Sequence, residues 1–289
     1  IKNTIKIALV GQPNVGKSML INSISNARLK VGNFSGVTVS KEQVFFDYKN
    51  FHIEIVDLPG AYSLNDYTIE EKVTKDFLNN EKYDIILNVL DSTNLQRNLL
   101  LTAELLTLDK KMIIALNMSD EAEKESILID EIQLSKILGK PCIKTSAAKK
   151  NGITKLLDEI LLKFQSQKVP SKFFFSNVIE EEIENISRVL EENKYETTET
   201  YRQISLGLLK ENKNIYKQFH DEPIWIKIQP ILTEAFEHLF IHFNSKNIKD
   251  IFNEERFAFA KGAAIETVKQ KSTNAATLTE RFDAILIHK

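Results

Sequence analysis

Through the first ~165 residues, short runs of apolar residues alternate with longer stretches in which apolar positions recur every three or four residues, the pattern of strand–helix–strand units. Expected strands run over 5–10, 37–48, 51–56, 84–90, 112–116 and 142–145. Several are apolar at nearly every position, which suits strands covered by helices on both faces. The exception is Val44-Phe45-Phe46-Asp47-Tyr48, followed by Asn50 and His52-Ile53-Glu54-Ile55, which reads as a hairpin beside the otherwise parallel sheet. The expectation is an α/β domain with a mixed six-stranded sheet and one antiparallel edge strand. After Lys168-Val169-Pro170 the texture changes to helix, with no strand expected over 177–270. There Ile224, Ile228, Ile231, Leu232, Ala235, Leu239 and Phe243 form one apolar stripe on a long helix. Trp225 and Phe236 broaden it as core packing.

Bulk composition narrows the class without choosing a function. Of 289 residues, 43% are hydrophobic and 27% charged, the balance of a globular protein, and the formal net charge is only -2. No global basic field draws the chain to nucleic acid or anionic lipid. Residues 170–270 hold 13 Lys or Arg against 17 Asp or Glu, so the second module is mildly acidic. The single cysteine, Cys142, reads as a small core residue, in keeping with a reducing compartment. His52, His220, His238, His242 and His288 are scattered; His238 and His242 share a helical face and read as helix surface or core, not as a metal site. No run of about 18 apolar residues is present. The chain opens without Met and stops at Ile287-His288-Lys289, which raises the expectation of a piece cut from something longer.

Chemistry enters at Gly11-Gln12-Pro13-Asn14-Val15-Gly16-Lys17-Ser18, which follows an expected strand and opens an expected helix, the context of a phosphate-binding P-loop. Phosphate contacts are expected from Gly11, Asn14, Val15 and Gly16, from the Lys17 ammonium on the β- and γ-phosphates, and from Ser18 and Met19 at the helix start, with the Ser18 hydroxyl on Mg²⁺. Asp57-Leu58-Pro59-Gly60 ends the third strand, where Asp57 holds a magnesium-bound water and the Gly60 amide senses the γ-phosphate. Thr38, in Gly36-Val37-Thr38-Val39, closes over Mg²⁺ when γ-phosphate is present. Asn117-Met118-Ser119-Asp120 follows the fifth strand, where the Asp120 carboxylate accepts from guanine N1 and N2 hydrogens. Ser146-Ala147-Ala148 supplies a loop amide for O6. Five motifs in order, each at a strand end, point to GTP and its product GDP, with Lys17, Thr38 and Gly60 as the catalytic set.

The stretches 31–39, 57–64, 88–99 and 115–122, with Asp91-Ser92-Thr93-Asn94-Leu95-Gln96-Arg97-Asn98-Leu99 the most distinctive, resemble the bacterial ferrous iron transport protein B family. The resemblance runs through residues 5–165, is weaker over 170–270, and returns at 278–289. It implies a Ras-like P-loop GTPase domain over 1–168, a helical dissociation-inhibitor-like domain over 169–272, and a connector over 273–289 toward a membrane domain of the same polypeptide. It also implies small accessory transport proteins as partners, no nucleic acid, and a place on the cytoplasmic face of the bacterial inner membrane. Ala61 stands where small GTPases place a water-orienting Gln. In similar GTPases a potassium ion held by the equivalent of Asn14 and by switch I carbonyls, here Gly32 and Phe34, supplies the missing charge. Two departures are Phe34-Ser35 in place of Trp-Pro, which predicts a less restrained switch I, and Met118 in place of Lys, which predicts weaker nucleotide holding. The competing reading is a stand-alone ribosome-assembly GTPase binding RNA; the acidic second module and the lack of a GXXG loop stand against it.

Overall fold

The computed structural model describes residues 3–24, 28–34, 37–64, 67–167 and 172–270. In chain order the elements are β1 (Asn3–Gly11), α1 (Lys17–Asn22), β2 (Arg28–Asn33), β3 (Ser40–Tyr48), β4 (Phe51–Asp57), α2 (Ile69–Asn80), β5 (Ile85–Asp91), α3 (Leu95–Leu106), β6 (Met112–Asn117) and α4 (Ser119–Lys124). Then come β7 (Ile127–Ile129), α5 (Glu131–Leu138), β8 (Cys142–Lys144), α6 (Ile153–Gln165), α7 (Asn177–Glu192), α8 (Tyr201–Leu209), α9 (Lys213–His220), α10 (Trp225–His242), α11 (Ile248–Thr267) and β9 (Val268–Gln270). The chain divides into two compact units, one of residues up to 104, 109–171 and 261 onward, the other of 105–108 and 172–260.

The first unit is built on a sheet of order β2-β3-β4-β1-β5-β6-β8. β1 is central, parallel to β4 on one side and β5 on the other, and Ile5, Ile7, Ala8, Leu9 and Val10 are all fully buried. Burial of each such side chain contributes roughly 1.5–3 kcal/mol, which is why a strand apolar on both faces must be covered twice. α6 covers one face with Leu156, Leu157, Ile160 and Leu161. Because β1, β4, β5, β6 and β8 run parallel, Gly11, Asp57, Asp91, Asn117 and Lys144 all end at the same edge of the sheet, where ligand loops of such folds gather.

The sheet has seven strands, where six are expected from the sequence. The added one is β2, whose six residues pair antiparallel with β3 from Arg28↔Phe45 to Asn33↔Ser40. β3 is the antiparallel member, as the hairpin pattern predicts, but it lies one strand in from the edge, and it begins at Ser40 rather than at Val37. Expectation also fails at β9, a strand inside the stretch expected to be helical: it pairs with β7 from Ile127↔Gln270 to Ile129↔Val268 in the first unit. The Asp130 N–H donates to Thr267 O at 2.8 Å beside it. The expected division at 168/169 and the connector 273–289 lie outside the described residues.

Among its described residues, the regular elements of the second unit are all helices. The α10 stripe is buried at Ile228, Leu232, Ala235 and Leu239, four, three and four residues apart. α8 starts with a reciprocal cap between Thr200 and Gln203, worth about 1 kcal/mol. Phe173, Phe175, Phe252 and Phe259 pack edge to face at 4.9–5.2 Å, and Arg202 holds the start of this nest through Phe173 O at 2.7 Å and a salt bridge to Glu180. His238 pairs with the buried Glu182 at 2.5 Å, joining α10 to α7. No helix among the described residues is long and apolar enough to cross a membrane.

Candidate nucleotide site

The loop from Gly11 to α1 follows the P-loop path because two residues take left-handed backbone, Asn14 at φ 66° and Gly16 at φ 86°. A Cβ at Gly16 would lie 2.5 Å from Asn117 Nδ2, and one at Gly11 2.6 Å from Val89 O, so both glycines are required by close approach. Gly16 caps α1 without a side-chain bond. Ser18 and Met19 are exposed, while Val15 is buried.

Asn117 is 1% exposed and ties the site together: its Nδ2 donates to Val15 O at 3.0 Å, and its Oδ1 accepts from Ala147 N–H at 3.1 Å and Thr145 Oγ1 at 3.4 Å. Met118 takes φ 56° and turns the chain into α4, on whose first turn Asp120 sits. A hydrogen bond from the Ser146 hydroxyl, with Lys149 beside it, holds the Asp120 carboxyl below the usual range. The Ser146 N–H is taken by Asn151 O, and Ala148 is exposed.

Across the cleft, Lys17 Nζ lies 4.0 Å from Asp57 Oδ1, with side chains 10% and 12% exposed. Burial lowers the Lys17 pKa against the pull of Asp57. Burial also pushes Asp57 up to about 6, with Lys17 pulling it down and Glu42, its neighbour on β3, pushing further up. Asp57 Oδ1 is buried with no hydrogen-bond donor. A buried carboxylate oxygen with no hydrogen-bond donor is a hard oxygen ligand of the kind Mg²⁺ takes. Gly60 is pressed on Pro13, since a Cβ there would sit 3.0 Å from the Pro13 backbone, and Ala61 N–H donates to Gly11 O at 3.2 Å.

The switch I residues form a separate loop in which Phe34 N–H bonds Val39 O at 3.0 Å and Val37 N–H bonds Phe34 O at 3.3 Å. Thr38 is exposed on this segment, Gly32 is exposed on β2, and Gly36 lies outside the described residues. The Phe34 ring meets Phe77 of α2 edge-on at 6.2 Å, and Lys41 Nζ sits 5.7 Å and 5.9 Å from the two rings, while Ser35, the other half of the departure, lies outside the described residues.

Several residues of the site escape a motif reading. Glu71, 5% exposed, accepts from Ser63 N–H and Oγ at 3.1 Å and from Tyr67 N–H at 3.2 Å, while Glu104, 7% exposed, accepts from Leu64 N–H at 2.6 Å. These two buried carboxylates hold the backbone after Gly60. Thr68-Ile69-Glu70-Glu71 carries a capping signal that could have pointed to Glu71. Gln12 Nε2 reaches Arg97 O at 2.8 Å, and the Arg97 guanidinium lies 4.8 Å from the Tyr62 ring centroid, so the stretch following β5 braces the P-loop and switch II.

With this geometry in place, comparison with known proteins decides the family. A family model described as ferrous iron transport protein B matches residues 5–160. The chain belongs to that family. A second model, the FeoB cytosolic helical domain, matches residues 175–269. The Fe(2+) transporter FeoB of Campylobacter jejuni is 53% identical over 176 residues, covering 61% of this chain and 29% of that protein. Its Helicobacter pylori counterpart is 58% identical over 180 residues, 59% of this chain and 28% of that protein. The chain thus spans less than a third of the length of these FeoB relatives. Among solved structures, an S. thermophilus NFeoB mutant bound to GDP matches with a TM-score of 0.80 at 30% identity, covering 92% of this chain and 100% of the other. The cytosolic domain of T. maritima FeoB in apo form matches at 0.75 and 27%, again over 92% and 100%.

Proposed function

We propose that this chain is the GTP-binding and GTP-hydrolysing switch of a ferrous iron transporter, working on the cytoplasmic face of a bacterial inner membrane. The supporting observation is the convergence, at one sheet edge, of the P-loop, the Lys17–Asp57 pair and the Asn117-tied base loops. Backbone amides of Gly11, Asn14, Val15, Gly16, Ser18 and Met19 cradle the phosphates, and Lys17 neutralises β- and γ-oxygens. Ser18, Thr38 and Asp57 would hold Mg²⁺, which would offset phosphate charge. Asn14, Gly32 and Phe34 would hold K⁺; the Phe34 carbonyl accepts from Val37 N–H and keeps a second lone pair. Asp120 reads the guanine edge and the Ser146–Ala147–Ala148 loop supplies the O6 donor, while Asn117 and Met118 shape the base pocket.

The Ala61 side chain has no polar atom, so water orientation falls to backbone, including the Gly60 amide, on a loop preset by Glu71 and Glu104. Thr38 and Gly60 hold their segments while γ-phosphate is present and release them after hydrolysis, passing the state toward the helical module and a membrane domain. A Porphyromonas gingivalis relative, 32% identical over 296 residues, is a fusion of Fe(2+) transport protein A with FeoB, which favours small accessory proteins as partners. The acidic balance of residues 170–270 and the lack of a GXXG sequence stand against the ribosomal alternative. The test is Asp120→Asn: GTP affinity falls and xanthosine triphosphate affinity rises in a fluorescent-nucleotide titration. Unchanged binding of both would place the base elsewhere.

A further inference from the structure

The carboxylate expected to read guanine is already engaged. Asp120 Oδ2 lies 3.4 Å from Lys149 Nζ, and the Asp120 side chain is 12% exposed. The Lys149 N–H donates to Ser146 Oγ at 3.2 Å, which ties the start of Lys149 to the loop after β8. Asp120 sits in the first turn of α4 and Lys149 follows β8, so the ion pair closes across the two loops that flank the base pocket. A guanine ring donates from N1 and N2 to this carboxylate, and an ammonium on one of its oxygens must withdraw or share. Withdrawal is open to Lys149, whose side chain is 53% exposed on a flexible four-carbon stem. Met118, where other GTPases carry a lysine stem, adds no charge of its own.

We infer that Lys149 acts as an internal competitor for the guanine-reading carboxylate and weakens nucleotide holding, a specificity-determining role built into the loop after β8. The inference rests on the guanine reading above. An ion pair with one exposed partner is worth ~0.2–1 kcal/mol, so its removal tightens GDP by about 1.4- to five-fold, mostly as slower release.

The experiment measures dissociation of a fluorescent GDP from the 289-residue chain for wild type, Lys149→Ala and Lys149→Arg. Lys149→Ala holds GDP more tightly, Lys149→Arg behaves as wild type, and raising ionic strength with NaCl narrows the gap between wild type and Lys149→Ala because salt screens the pair. Equal or faster release from Lys149→Ala overturns the competitor role and makes Lys149 a support for the bound base. A wild-type chain that binds no GDP brings down the guanine reading itself, and the inference with it.

Discussion

Gly16→Ala tests the tie between the phosphate and base halves of the site. The new methyl would be placed at φ 86°, where a non-glycine residue costs ~1 kcal/mol, and 2.5 Å from Asn117 Nδ2. Asn117 must move, and its bonds to Val15 O at 3.0 Å and from Ala147 N–H at 3.1 Å are lost with it. Both are buried, and each such bond is worth about 1 kcal/mol net. The expected destabilisation of the first unit is therefore ~3 kcal/mol, with loss of nucleotide binding. Asn117→Ala loses the same two bonds, so in that background Gly16→Ala costs only the ~1 kcal/mol of backbone strain, a coupling of ~2 kcal/mol. Amide exchange of β1 and β6 on the nucleotide-free chain reads the opening free energy of this unit separately from the helical one. Additive costs, with coupling under ~0.5 kcal/mol, would refute the argument that Gly16 exists to admit Asn117.

Phosphate release from GTP is expected to run faster in K⁺ than in Na⁺ at matched ionic strength, with the difference abolished in Asn14→Ala and GDP binding largely intact; equal wild-type rates remove the potassium reading. Asp57, raised to about 6, is protonated below that pH, so the Mg²⁺-dependent gain in nucleotide affinity should fall by up to about tenfold per unit as pH drops below 6 and stay level above it. Titration of that gain against pH checks it, and a flat profile down to pH 4 would contradict the orphaned-oxygen argument. The Glu182 hydrogen bond raises His238 above its ordinary 6.5, so the pair stabilises the helical unit fully below pH 6.5 and is lost as pH rises through the higher folded-state value. His238→Gln should flatten thermal stability across that window; an unchanged slope would mean that the pair contributes nothing.

Local chemistry made much of this protein readable in its sequence. The Gly11–Ser18 spacing, the terminal Asp57 and Asp120 and the apolar strands depend on near neighbours and on periodicity, so the sheet's parallel core, the cleft and the α10 stripe were all legible. The edge was not: Arg28–Asn33 has a Gly and three long or amide polar side chains, and only the partner β3 makes it a strand. β9 is decided the same way, by β7 about 140 residues earlier, because pairing across such a separation leaves no periodic trace in three residues. The Phe34 ring finds its edge-on partner, Phe77, forty-three positions away, a contact no local pattern shows. Glu71 and Glu104 show the reason most plainly. A carboxylate reads as solvated surface until the fold removes its water and sets beside it the amides of a loop, and for the half-exposed Lys149 only the fold brings the Asp120 carboxylate within reach.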